Sequence, residues 1–171
     1  MRDVTIRPAA RSDLPVVQRV LVDTWHATYD TLMGRAKEDE LTASWHALPV
    51  LERQLDQAGA TRLVAIEGGR IVGTAFAIRA EGYVKLDQIY VLPAAHGTGA
   101  GKALLDAVTA AAGAATPIRL EVEPRNARAI AFYKREGFAK IGEVTCCGRH
   151  SGIPADLYER PAQGGAGAQP S

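Results

Sequence analysis

The chain is poor in cysteine. Its two cysteines, Cys146 and Cys147, are neighbours in sequence. A bridge between adjacent residues is strained, and two thiols without partners elsewhere build neither a disulfide framework nor a thiolate zinc site. They read as reduced strand residues. The four histidines, His26, His46, His96 and His150, show no HExxH or other ligand spacing, so no metal is expected. An excess of charge of one sign is missing too. Twenty basic and 19 acidic side chains leave a formal net charge of +1, which excludes global steering toward nucleic acid. No apolar run has the length to cross a membrane, and the opening "MRDVTIRPAA" lacks the apolar stretch of a signal peptide. These absences predict a cytoplasmic protein with neither a nucleic-acid nor a membrane partner.

At 171 residues the chain is most economically one domain, expected over residues 1–160. The closing "PAQGGAGAQPS" (161–171) has little to bury and reads as a flexible tail. "VTIR" (Val4–Arg7) alternates as a strand does. "RSDLPVVQRVLVDTW" follows as a helix, with Ser12 as N-cap, Pro15 in the first turn and Leu14, Val17, Val20 and Leu21 at helical spacing. From Ala36 to Gly59 the pattern is helical again, broken near Pro49. "TRLVAIEGGRIVGTAFAI" is a hairpin whose Gly68-Gly69 suits a primed turn. "GYVKLDQIYVLP" is a strand stopped by Pro93, Ala100 to Ala112 a helix ended by Gly113, and "IRLEVEP" a strand stopped by Pro124. A helix follows over "NARAIAFYKREGF", capped by Asn126 and by a left-handed Gly137 with Phe138 closing over it. Strands around Ala139–Thr145 and Ala155–Glu159 finish the order, which predicts a mixed α/β sheet with helices packed on it.

"HGTGAGKALL" (His96–Leu105) alternates glycine with small residues before opening a helix. Alternating glycine is entropically unfavourable to order. Its reward is a row of unpaired N–H groups at the positive end of a helix, a place that favours an anion, most often a phosphate. Two familiar phosphate motifs fail here. A P-loop would need glycine at His96 and Ser or Thr at Ala103. The dinucleotide fingerprint would need a third glycine at Lys102 or Leu104.

The spacing that fits is (Gln/Arg)-x-x-Gly-x-(Gly/Ala) after an apolar strand, read here as His96-Gly97-Thr98-Gly99-Ala100-Gly101. In this the sequence resembles the GNAT superfamily of N-acetyltransferases, departing from it at His96, where the family usually has Gln or Arg. A second stretch, "LEVEPRNARAIAFYKREGF" (Leu120–Phe138), matches the family's following strand and helix. The resemblance covers residues 83–138 closely and the rest by element order.

The resemblance implies a GNAT-like α/β fold: a mixed, mostly antiparallel twisted sheet of about seven strands flanked by helices. It also implies acetyl-CoA as cosubstrate, with no metal, and a reaction with four needs. The amine must lose a proton, the thioester carbonyl must be polarised, the leaving thiolate must be protonated, and the reactants must be aligned. By the same resemblance, the pantetheine arm pairs with the backbone of Ile89, Tyr90 and Val91. The pyrophosphate lies on His96, Gly97, Thr98, Gly99, Ala100, Gly101 and Lys102, with Asn126 also on the cofactor. Lys102, Arg125 and Arg128 are candidates for the adenosine 3′-phosphate.

Tyr133 matches the tyrosine that protonates the thiolate in relatives; the alternative is an aromatic one turn from Ile130 on a helix face. Asn126 has an N-cap reading beside its cofactor one. Glu121 has the spacing of a catalytic base in relatives, and Asp87 is its rival. Acidic residues on strands are also often salt-bridged, and many relatives use a water chain instead. Trp25, His26 and Tyr29 stand where relatives build the acceptor pocket, or they are core.

No cysteine lies in either motif, which favours direct transfer to a primary amine in a ternary complex over an acetyl-enzyme. The competing expectation is a non-catalytic acyl-CoA-binding module acting as sensor or scaffold. Small amines, amino acids, antibiotics and peptides are all open as acceptors. Homodimers are common among similar proteins.

Overall fold

The computed structural model describes residues 3–145 and 154–163. Cys146, Cys147, His150 and most of the expected tail lie outside the described residues. Seven strands form one mixed sheet in the order β1-β2-β3-β4-β5-β7-β6. They are β1 (Val4–Pro8), β2 (Ala60–Glu67), β3 (Arg70–Arg79), β4 (Val84–Val91), β5 (Ile118–Val122), β6 (Ala139–Val144) and β7 (Ala155–Arg160). The helices are α1 (Leu14–Met33), α2 (Arg35–Trp45), α3 (Leu48–Asp56), α4 (Ala100–Ala112) and α5 (Ala127–Arg135). The expected fold class is the one found. By contact density the chain divides into two compact units, residues 1–78 with 88–108, and residues 79–87 with 109–171.

In the first unit β1 pairs antiparallel with β2, from Val4↔Glu67 to Pro8↔Leu63. The β2–β3 hairpin turns at Gly68 and Gly69, with φ of 55° and 76°. Both are positive, as a primed turn demands and as only glycine adopts without strain. Leu14, Val17 and Leu21 of α1 pack with Leu51 of α3 and Val64 of β2 into a buried cluster. Pro49 falls in the first turn of α3, where its missing N–H would have had no helical partner anyway.

Two expectations about α1 need correction. Ser12 does not cap it. Residues Arg11–Asp13 form a short 3-10 turn, and Asp13 carries the local polar bonds, accepting from the Ala10 N–H at 2.7 Å. Nor does the helix end at Trp25, where the expected helical stretch closed. It runs on to Met33, because no glycine or proline interrupts it until Gly34, whose φ of 85° stops it. "TWHATYDTLM" is therefore the second half of a 20-residue helix.

In the second unit β5 pairs antiparallel with β7, and β6 pairs with β7 on its other side. The start of β4 runs parallel to β5, paired at Val84↔Ile118 and Lys85↔Arg119. Helix α5 is capped as its sequence predicts. The Asn126 side chain accepts from the Ala129 N–H at 3.2 Å. At the other end Gly137 adopts φ 89°, and the Phe138 N–H returns to the Tyr133 carbonyl at 3.0 Å, the backbone bond of a left-handed helix stop. Phe138 is buried there, with the Arg160 guanidinium 5.1 Å from its ring centre.

Candidate functional site

The glycine turn lies between the end of β4 and the start of α4. Pro93–Ala95 make a short 3-10 turn, after which Gly97 and Gly99 take φ of 80° and 90°. A Cβ added to either would meet nothing within 4 Å. Conformation, and open space beside the backbone, therefore set the need for glycine here; neighbouring atoms do not. The Gly99 carbonyl accepts from the Ala103 N–H at 2.9 Å, so helical bonding begins at that residue. The N–H groups of Gly97, Gly99, Ala100 and Gly101 make no hydrogen bond among the described residues. Unmatched amides at the positive end of a 13-residue helix, with Gly97 and Gly99 exposed, are a fit for an anion.

The side chains of the turn behave differently from the expectation. His96 Nε2 lies 2.8 Å from the Val91 carbonyl oxygen. With its proton on that nitrogen, the ring donates back to the last residue of β4 and braces the turn against the strand. The Lys102 ammonium pairs with Asp106 one helical turn on, at 2.8 Å. The Thr98 hydroxyl donates to the Ala95 carbonyl at 2.7 Å. The anion-facing capacity of the turn thus lies in its main chain.

Gly73 on β3 went unnoticed in the sequence. A Cβ there would fall 3.0 Å from the Tyr90 carbonyl oxygen, 3.1 Å from Val91 Cγ2 and 3.2 Å from Leu104 Cδ1. It lets β3 approach both the end of β4 and helix α4, and the Leu92 N–H donates to the Val72 carbonyl at 2.8 Å beside it. The available signal was an isolated glycine within a strand pattern, which often marks a close backbone approach.

In the second unit both rival bases meet one lysine. Lys85 Nζ is 3.3 Å from Glu121 Oε1 and 3.8 Å from Asp87 Oδ1. Lys85 and Asp87 are two residues apart on β4 and so share a face. Tyr133 is buried, with ring centres 5.3 Å from Phe132 and 5.5 Å from Phe138, both edge-on. Buried Glu123 accepts from the Arg125 main chain at 3.1 Å and from its guanidinium at 2.8 Å, closing the turn into α5. Arg125 is thereby committed to the turn.

The helical course of α1 sorts Trp25, His26 and Tyr29 onto two faces. Trp25 and Tyr29, four residues apart, are buried with ring centres 4.5 Å apart, and Trp45 meets Trp25 edge-on at 5.3 Å. His26 instead joins a group of carboxylates. Its Nδ1 is 2.8 Å from Asp30 Oδ1 and 3.5 Å from Glu38 Oε2, and its Nε2 is 3.2 Å from Asp39 Oδ1. The hydrogen bond with Asp30 holds the imidazole above its ordinary pKa and Asp30 below its own. Glu38 is pushed up to about 7, by burial first and then by the charge of Asp30.

Residues 22–138 match the model of the acetyltransferase (GNAT) family. An uncharacterized N-acetyltransferase of Mycobacterium tuberculosis is 46% identical over 86 residues, covering 48% of this chain and 55% of that relative. The match thus spans about half the length of the curated relatives. Among solved structures, the PaiA N-acetyltransferase of Thermoplasma acidophilum, in complex with coenzyme A, superposes with a TM-score of 0.80 at 17% identity, over 93% of this chain and 99% of that one. A GCN5-related N-acetyltransferase of Rhodopseudomonas palustris gives 0.77 at 19% identity, over 94% and 98%. At such identities the likeness is one of fold.

Proposed function

The chain belongs to the acetyltransferase (GNAT) family, and from that premise we propose an acetyl-CoA-dependent N-acetyltransferase acting on a primary amine by direct transfer. The observation that carries this reading is the glycine turn leading into α4, with four amides that make no hydrogen bond among the described residues. Those amides would hold the pyrophosphate. The cosubstrate supplies an activated acetyl thioester. The backbone of Ile89, Tyr90 and Val91 at the end of β4 would align the pantetheine, and a main-chain N–H there would polarise the thioester carbonyl. His96 serves by holding the turn to Val91, which lets a histidine replace the family's usual Gln or Arg.

Tyr133 is the group for the leaving thiolate. A phenol with an ordinary pKa of ~10 is suited to protonating a departing thiolate. Glu121 is the base, with Asp87 as its rival, and Lys85 orients both carboxylates. Asn126 primarily caps α5 and thereby positions Tyr133 two turns on.

The test is calorimetric titration with acetyl-CoA, with ATP and NAD as controls, followed by detection of free thiol across a panel of amines. Acetyl-CoA alone should bind, and Gly99→Val or Gly101→Val should weaken it at least about a hundredfold by putting a side chain on the turn. Tyr133→Phe should lower turnover by about two orders of magnitude or more with binding unchanged. Binding without thiol release for any amine would favour the non-catalytic module. A preference for ATP would overturn the reading.

A further inference from the structure

We propose that His26, Asp30 and Glu38 form a binding site for one divalent transition-metal ion of the zinc type, which ties the second half of α1 to the first turns of α2. One donor atom from each of the three residues lies within 4.8 Å of the others. His26 and Asp30 are four residues apart on α1 and so share a face. Glu38 reaches them from α2, past the turn at Gly34. At metal–ligand bonds of ~2.0–2.2 Å, neighbouring donors of a tetrahedral or octahedral ion stand ~3–3.5 Å apart. The observed separations from His26 Nδ1, 2.8 Å to Asp30 and 3.5 Å to Glu38, bracket that spacing.

Glu38 supplies the independent sign of a ligand. Its side chain is 0% exposed, and neither carboxylate oxygen has a hydrogen-bond partner among the described residues. A carboxylate removed from water without a hydrogen bond is strongly unfavourable, and this one points, at 3.5 Å, toward the ring nitrogen that an ion would share. Asp39 completes the arrangement. Its carboxylate lies 3.2 Å from His26 Nε2, and its charge favours the proton on that nitrogen, which leaves the Nδ1 lone pair to a metal once the Nδ1 proton has passed to solvent. One imidazole with two carboxylates suits zinc, cobalt or manganese better than the all-oxygen shells of calcium and magnesium. The histidine spacing gave no hint of this because only one ligand is a histidine.

The experiment uses the full chain carrying Cys146→Ser and Cys147→Ser, to remove thiol ligands, stripped with chelator and titrated with zinc chloride by calorimetry. Cobalt chloride provides a visible absorption band as a second readout. We expect one equivalent bound at about micromolar affinity or tighter. Glu38→Gln and Asp30→Asn should each weaken binding at least about tenfold, and Asp39→Asn by a smaller factor. His26→Asn should abolish the cobalt band, and circular dichroism should show each variant folded. Failure of the parent to bind one equivalent would overturn the proposal. So would unchanged affinity in both folded carboxylate variants, which would put the metal elsewhere on the chain.

Discussion

Two charged side chains are buried within the first compact unit, and they are treated in opposite ways. Arg62, 4% exposed, sends one arm of its guanidinium to Gln88 Oε1 at 2.8 Å and the other to Gln54 Oε1 at 2.5 Å. Its planar head lies 4.6 Å from the ring centre of Phe76, its partner across the β2–β3 ladder. Neutral amide oxygens at both terminal nitrogens and an aromatic face thus replace much of the water the guanidinium lost. The buried Nε is left without a hydrogen bond among the described residues. Glu38, 0% exposed, has only the His26 ring nitrogen 3.5 Å away, beyond a good hydrogen bond, and the carboxyl of Asp30 beside it. A buried charge whose partners are built into the fold is a structural element. One whose partners are missing has either given up its charge or is kept for something that arrives later.

The largest expected effect tests the Arg62 half of that contrast. Arg62→Met keeps much of the apolar stem but leaves the Gln54 and Gln88 oxygens without their donor in a dry place. Breaking a buried charged network of this kind is worth roughly 3–5 kcal/mol. For a chain of this length that is a fall in Tm of about 6–20 °C. Urea unfolding of parent and variant would measure it. A loss below about 1 kcal/mol would mean that Arg62 is no more structural than Glu38, and the contrast would collapse.

The next effect concerns Glu38 in metal-free protein and has a sign fixed by linkage. The carboxyl titrates at about 7 in the folded chain against an ordinary 4.5, so between those values the native state holds more protons than the unfolded one. Its contribution is complete below about 4.5 and is lost as the pH rises through 7. His26, Asp30 and Asp39 face the same carboxyl, and Arg35 acts on Asp30. The raised His26 adds a loss of the same sign as the pH climbs past its ordinary value. Glu38→Gln should therefore remove a decline of up to ~3 kcal/mol between pH 4.5 and 7 and leave the histidine's part standing. Urea midpoints at pH 5 and 7.5 would show it. Equal slopes in parent and variant would mean that Glu38 is ionised throughout.

What the sequence made legible was local. The primed turn at Gly68-Gly69, the bounds of α4, and the caps of α5 at Asn126 and Gly137 all follow from rules that reach only a few residues along the chain. The glycine turn was legible for the same reason, since its φ angles and unmatched amides are properties of one short segment. What escaped depends on residues far apart in sequence. Nothing near Glu121 announces that Lys85 of β4 will pair with it, and nothing near Gly73 announces the Tyr90 carbonyl 3.0 Å from its would-be Cβ. Arg62 and Glu38 read as ordinary surface charges until the elements around them are assembled. The end of α1 was misjudged for a further reason. Aromatic and β-branched residues such as Trp25, Thr28 and Tyr29 are indifferent helix formers, and only the packing of the helix carries them.

A third charge, Asp13, places the other two on a scale. Its carboxylate accepts from both arms of Arg7, at 2.7 and 3.1 Å, and from the Ala10 N–H at 2.7 Å. The arginine hydrogen bond comes first in holding it below the ordinary carboxylate pKa, but the Arg7 side chain is 42% exposed, so water competes for the pair. Asp13→Asn keeps an oxygen for the Ala10 N–H and removes only the charge. At pH 7 it should lower Tm by about 3 °C or less. The sign is opposite to that of Glu38. A lowered carboxyl contributes stability above its ordinary value near 4, and that contribution disappears as the pH falls through the lowered one. Thermal melts of parent and variant should therefore converge in acid. A gap that persists there would show that Asp13 acts through the 3-10 turn ahead of α1 and not through its charge.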